Sequence, residues 1–340
     1  MAKKKDIGHK LADDEIERIK KELEEEYAKA YKQLKAEADA YFEKYNKQVK
    51  RKMEKVKAGE MSEADFIKWK HQEMMQNKKY DTLVRTLSQE MTKTNQMARD
   101  IVNGHLADVY AQNYNYSAFE LCKGTGINLQ FDLVDRRTVE KLVKDKKIPL
   151  PQASLKTIKD MKWNEQKIRS ALFQGIVQGD SMDKIASRLQ SVSGMSEEAS
   201  IRNARTMVTA AENAGRLDRW EEASEKYGIQ MQKTWLAVLD DRTRDAHAEL
   251  DGVSVDLDQP FVNSIGEIMK PADPNCKDGE NVYNCRCTMV SSIKGFPKDL
   301  SRREMGKGIE GMSYDEWKQQ ATERAQEAAE RKRQRDGGGS

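Results

Sequence analysis

The stretch DDEIERIKKELEEEYAKAYKQLKAEADAYFEKYNKQVKRKMEKVK, from Asp13 to Lys57, decides how the first part of the chain folds. Its apolar residues are Ile16, Ile19, Leu23, Tyr27, Ala30, Leu34, Ala38, Tyr41, Tyr45, Val49, Met53 and Val56. They recur in steps of mostly three, four and four, a mean of about 3.6 residues, which is the period of an α-helix with one apolar stripe. This rhythm is nearer an eleven-residue repeat than a coiled-coil heptad, so it favours a straight helix or slight right-handed coiling. At a rise of about 1.5 Å per residue the helix is roughly 65 Å long, and its stripe needs a partner.

Working outward, Ala58-Gly59-Glu60-Met61 breaks the stripe, and Ser62 with Asp65 reads as a new helix cap. A second long helix is expected to about Asn113, carrying Phe66, Trp69, Met74, Leu83, Leu87, Met91 and Ile101, and forming a hairpin with the first. Tyr114 to Phe131 reads as irregular because of Gly124 and Gly126. A short helix follows from Arg136 to Lys144, and Ile148-Pro149-Leu150-Pro151 makes a linker. From Lys156 the chain turns helical again, with Trp163, Ile168, Leu172 and Ile176 as core. Gly179-Asp180-Ser181 separates that helix from Met182 to Leu189. A third helix opens at Ser196 and buries Ile201, Ala204, Val208, Ala211, Leu217 and Trp220. Gly228 lies just past its end.

The texture changes at Gln230. Met231, Lys233, Trp235, Ala237 and Leu239 alternate as in a strand. Asp240 to Leu250 reads as turn and short helix, Val253 to Leu257 and Ile265 to Met269 as a hairpin, and Cys287 to Ile293 as a last strand. The fold class is therefore mainly α with a small C-terminal α+β module. The expected segments are a helical hairpin over 1–118, an irregular region and linker over 119–155, a helical bundle over 156–229, the α+β module over 230–297, and a charged, partly disordered tail over 298–340 with a helix from Ser313.

Composition agrees with long solvated helices. Only 37% of the 340 residues are hydrophobic and 34% are charged, too little apolar material for one large core. All six prolines follow residue 148. With 60 basic and 57 acidic residues the net charge is +3, which does not mark a dedicated nucleic-acid binder. The run Lys3 to Lys5 is too short to carry a signal of its own. The start, MAKKKDIGHK, lacks an apolar signal core, and no stretch approaches the roughly 18 apolar residues of a membrane span. Synthesis in a reducing cytoplasm is expected, so the four cysteines read as metal ligands or free thiols.

His247, Cys276, Cys285 and Cys287 form the best metal constellation, with zinc as the ion. The spacing Cys-x-Cys is tighter than usual for zinc, although alternate residues of a strand share a face. The competing reading is a thiol pair buried in a small core. Asp240, Arg242, Arg244 and His247 form the one dense polar cluster, read as a carboxylate–arginine staple across a turn. Its rival is a hydrolase with His247 as base and Asp240 as orienter, but no nucleophile motif or phosphate loop accompanies it. Trp235 is the expected core anchor of the module, Gly252 a positive-φ turn residue, and Asn284 a turn-satisfying residue before Cys285. Tyr110, Tyr114, Tyr116 and Phe119 read as packing residues rather than base-stacking ones.

Several phrases resemble the phage Mu F-like head morphogenesis family. They are Gly179-Asp180-Ser181-Met182-Asp183-Lys184-Ile185-Ala186, Ala204-Arg205-Thr206, Ala211-Glu212-Asn213-Ala214-Gly215, Lys233-Thr234-Trp235-Leu236-Ala237, Asp240-Asp241-Arg242-Thr243-Arg244 with His247, Leu250-Asp251-Gly252, and Asn284-Cys285-Arg286-Cys287. The resemblance covers roughly residues 156 to 293, and Cys276 stands outside its pattern. It implies a non-enzymatic minor head protein of the virion, in few copies, within the head or near the portal. Its expected partners are the portal protein or the major capsid protein, with phage DNA as a further one during packaging or ejection, and no membrane. The alternative is a metal-dependent hydrolase or toxin-like effector built on the same module.

Overall fold

The computed structural model describes residues 6–75, 78–148, 150–154, 159–295, 309 and 311–337. Lys3 to Lys5, Pro149, Lys156, Ser301, the Met74 side chain and the terminal Gly338, Gly339 and Ser340 lie outside the described residues. Among those described, the elements are α1 (Ile7–Lys57), α2 (Glu63–Met75), α3 (Lys78–Thr125), α4 (Arg136–Lys144), α5 (Met161–Gln178), α6 (Met182–Tyr227), β1 (Gln230–Leu236), α7 (Asp245–Ala248), β2 (Ser254–Asp256), β3 (Phe261–Val262), β4 (Glu267–Ile268), α8 (Gly279–Val282), β5 (Thr288–Gly295) and α9 (Tyr314–Gly337). The chain is mainly helical with a few short antiparallel strands after residue 229, the fold class that its sequence implies.

The residues gather into two compact units that cut across the sequence segments. One contains residues 18–102 and 153–203, and the other residues 1–17, 103–152 and 204–340. In the first, α1 buries Ile19, Leu23, Tyr27, Ala30, Leu34, Ala38, Phe42 and Tyr45. Pairs such as Ile19–Ala30, Leu23–Leu34 and Leu34–Tyr45 repeat at eleven residues. Phe42, not Tyr41, holds the buried position, and Met53 is exposed, so the stripe ends earlier than its apolar residues suggest. The stripe has more than one partner helix. Tyr27 donates to Asn95 Oδ1 of α3 at 2.7 Å and meets Ser200 Oγ of α6 at 2.8 Å. The expected two-helix hairpin is thus part of a bundle in which α5 and the start of α6 also bury residues, including Ile168, Leu172, Leu189 and Val192. Trp163, expected as core, is half-buried, with Lys159 and Lys167 over its ring.

Two expected breaks are absent. α3 continues through Tyr114 to Thr125, because Tyr116, Ala118, Leu121 and Cys122 pack at helical spacing in a core. It stops where Gly126 takes a φ of 68°. α6 runs unbroken from Met182 to Tyr227, past Gly194 and Ser196. A glycine inside a helix costs roughly 1 kcal/mol, and the burial of Val192 and Ala199 around it offsets that. The strand pairing differs too. Residues around Val253 to Leu257 do not pair with Ile265 to Met269; β2 pairs with β1, and β3 with β4. The main sheet has the order β2-β1-β5 and is antiparallel throughout.

In the second unit, α3 and α6 approach so closely that a Cβ on Gly215 would lie 2.5 Å from the Tyr110 carbonyl oxygen and 3.1 Å from the Tyr114 nitrogen. Beside this crossing Arg216 is fully buried. It donates to both carboxylate oxygens of Asp6 at 2.7 and 2.8 Å, to Asn113 Oδ1 at 3.2 Å and to the Met289 carbonyl at 2.9 Å. Glu212, one turn earlier, accepts from Thr288 Oγ1 at 2.6 Å and lies 3.1 Å from His9 Nδ1. Burial disfavours the His9 cation, but the Glu212 carboxylate overcomes this and raises its pKa to about 9.

Gly215→Ala is expected to destabilise the protein by about 1–3 kcal/mol, the usual range for overpacking. An unchanged urea midpoint would show that the helices do not need this approach. The His9 pair contributes fully below the ordinary histidine value near 6.5, and its contribution is lost as pH rises through about 9. Melting temperatures measured from pH 6 to 10 should therefore fall more steeply for the parent chain than for His9→Gln.

Candidate metal centre

Trp235 organises the site. Alternation along β1 turns Met231, Lys233 and Trp235 to the core. Trp235 has no exposure and meets the edges of two rings, His247 at 5.5 Å and Phe261 at 5.2 Å between centroids. The loop after β1 is tied back to the strand. Gly252, at a φ of 81°, donates its N–H to the Trp235 carbonyl at 2.8 Å, and Asp251 Oδ1 accepts from the Ala237 N–H at 3.0 Å. This returns α7 over β1 and buries His247.

The other half of the site is laid along α6. Asn284 takes a left-handed φ of 57°. Its N–H donates to Thr206 Oγ1 at 2.8 Å, and its side-chain oxygen accepts from Arg205 at 2.9 Å. Thr209 Oγ1 donates to the Cys285 carbonyl at 3.0 Å, and Asn213 Nδ2 to the Cys287 carbonyl at 3.4 Å. The two sulfurs then face one imidazole nitrogen: His247 Nδ1 lies 3.6 Å from Cys285 Sγ and 3.5 Å from Cys287 Sγ. All three ligand atoms lie within 4.8 Å of one another, and all three residues are buried. This cluster has the donors and the spacing to hold a metal ion.

The thiols do not titrate alike. The hydrogen bond from Cys285, with the contact to His247, draws Cys287 below the ordinary thiol value, while Cys285 is pushed up by the same partnership and by burial. Cys276 is not brought in. It is half-buried, and its sulfur faces the carbonyls of Glu267 at 3.5 Å and Asp278 at 3.6 Å. The four-residue set expected from sequence is a three-residue set in space.

The staple has a different partner from the one the sequence suggests. Asp240 receives a bidentate pair from Arg286, at 2.5 and 2.6 Å, which holds its carboxyl far below the usual range. Arg242 reaches it only at 3.7 Å from an exposed position, and Arg244 donates to the Tyr283 carbonyl instead. Asp240 thus faces Arg286, and His247 Nδ1 faces sulfur, so the base-and-orienter arrangement is not formed. Sequence reasoning also passed over Lys233 as a buried charge. Its Nζ donates to the Leu257 carbonyl at 2.8 Å, and burial pushes its pKa down to about 8. The one signal was a lysine at an inward position of an alternating strand.

Residues 166–290 match the family described as Phage Mu protein F like protein. They form a Mu F-like segment. It runs from within α5 into β5 and holds every ligand of the cluster. Over 92% of its length the chain is 28% identical to minor head protein GP7 of Bacillus phage SPP1, covering 95% of that protein. It is also 29% identical over 217 residues to NAD(+)--arginine ADP-ribosyltransferase EFV of Enterococcus faecalis, and there it spans only 44% of the relative. An uncharacterized protein of Haemophilus influenzae is 25% identical over 59% of the chain. No solved structure matches.

Trp235→Ala should lower stability by about 3–5 kcal/mol, as for other buried aromatic truncations. A chemical-denaturation curve unchanged from that of the parent would place the indole outside the core.

Proposed function

We propose that this chain is a minor head protein of a phage particle, acting in head morphogenesis by attachment to other virion components. The observation that carries the reading is the similarity to a minor head protein along nearly the whole of both chains. The family match within residues 166–290 supports it independently of the N-terminal helices. The finer picture is a protein present in few copies, bound to the portal or major capsid protein, with a role in DNA packaging or ejection. The chain offers long solvated helical faces for such contacts. Among the described residues no helix is long and apolar enough to cross a membrane.

A second reading, an enzyme, is favoured by the partial similarity to a protein named an ADP-ribosyltransferase. Attachment is preferred because that similarity leaves more than half of the relative unmatched. In addition, the densest polar cluster of the module, Asp240 with Arg286, is used up in a bidentate pair that joins a turn to the start of β5.

The test is the composition of phage heads assembled with and without this chain. Heads purified before and after DNA packaging are expected to contain it in few copies, and omission is expected to impair assembly or infectivity. A folded Asp240→Asn variant should still be incorporated. Heads that lack the chain at every stage of assembly would overturn the proposal.

A further inference from the structure

We infer that His247, Cys285 and Cys287 bind one zinc ion, through one imidazole nitrogen and two thiolates. The first support is metric. Zinc bonds of about 2.3 Å to sulfur and 2.0–2.1 Å to nitrogen, at the tetrahedral angle, place N and S about 3.5–3.6 Å apart. The two observed separations are 3.6 and 3.5 Å. A hydrogen-bonded thiol pair would require only one sulfur to face Nδ1. Here both do.

The second support is the set of groups around the sulfurs. The Cys287 N–H donates to Cys285 Sγ at 3.4 Å. The Trp235 indole nitrogen is buried with no hydrogen-bond partner, and its ring lies against that of His247. A backbone N–H donating to sulfur suits a thiolate that carries a metal better than a neutral thiol. The third support is rigidity. Each ligand is positioned by contacts independent of the others, with Thr209 and Asn213 on the cysteine backbone and Trp235 against the imidazole. A metal therefore meets ligands already in place.

Two thiolates favour zinc over magnesium or calcium, which prefer oxygen. Binding displaces the protons of the two thiols. The ion would join α7 to the residues that enter β5, across 38 and 40 positions of sequence. Buried on every protein ligand, it would act as a fastener for the module rather than as an exposed reaction centre. This inference does not depend on the role proposed for the chain in the virion.

The test uses the full chain, purified in reducing buffer without added metal. Elemental analysis is expected to find about one zinc per chain, and a chelator should lower the melting temperature. Replacement by cobalt should give sulfur-to-metal charge-transfer bands of two thiolates with the intense visible bands of tetrahedral cobalt. Cys276→Ser should keep the metal, whereas Cys287→Ser should bind zinc at least tenfold more weakly. His247→Cys, which restores a ligand, should retain it. Because the Cys287 variant can fail to fold, the cobalt spectrum and chelator-dependent melting of the parent chain stand as separate readouts. A parent chain that holds no zinc, takes up neither zinc nor cobalt and melts identically with chelator would overturn the site. Equal loss of zinc in Cys276→Ser would overturn the three-ligand set, and stoichiometric copper or iron in place of zinc would overturn the identity of the ion.

Discussion

Arg216 has no exposure to solvent, and a buried guanidinium is tolerable only if its charge and its donors are met inside the protein. Its partners come from separate parts of the chain. Asp6 precedes α1, Asn113 lies in α3, Glu212 is one turn away on α6, and the Met289 carbonyl belongs to β5. Removing any of the anions would leave charge uncompensated where water cannot reach it. The start of the chain, the α3–α6 crossing and the closing strand of the sheet are thus fixed together. Gly215 beside Arg216 allows the crossing to be close enough for the network to form. Thr288 and His9 both engage Glu212 and complete the same constraint from either side.

The His247–Cys285–Cys287 cluster inherits its precision from that helix. Thr206, Thr209 and Asn213 lie on α6 immediately before Arg216 and engage the backbone of Asn284, Cys285 and Cys287. The cysteines are therefore aligned by the element that carries the buried charge network. β1 supplies the opposing wall through Trp235, and the turn after β1 is clamped by Asp240 to Arg286, the residue between the cysteines. An α6 broken at Gly194 would still hold these contacts, since they lie in its second half. Its continuity instead lets one helix bury residues in both compact units. The segment that matches the family spans the whole of this helix, which accords with the helix and the cysteine strand forming one structural system.

Similarity to a minor head protein extends over nearly the entire chain, whereas similarity to the named ADP-ribosyltransferase covers less than half of that protein. The two relationships weigh differently for function. A match along both full lengths accounts for the N-terminal helices as well as the module. A partial one is equally compatible with a shared structural part joined to different partners.

Periodicity in the sequence determined the helical first part, because an eleven-residue apolar repeat has no other economical solution, and alternation from Met231 to Trp235 determined β1 and its anchor. The Gly228 stop and the Gly252 turn were legible for the same local reason: backbone geometry restricts which residues fit. Tertiary structure alone decided which long-range pairs form. Arg286 rather than Arg242 or Arg244 meets Asp240, because pairing across 46 residues leaves no local period. The continuity of α3 past Tyr114 and of α6 past Gly194 follows from packing that outweighs weak local propensity. Cys276 had the right chemistry and lay in the right module, yet its place in the turns between β4 and α8 points the sulfur to backbone carbonyls. Composition can name candidate ligands, but only the folded chain brings His247, Cys285 and Cys287 within reach of one ion.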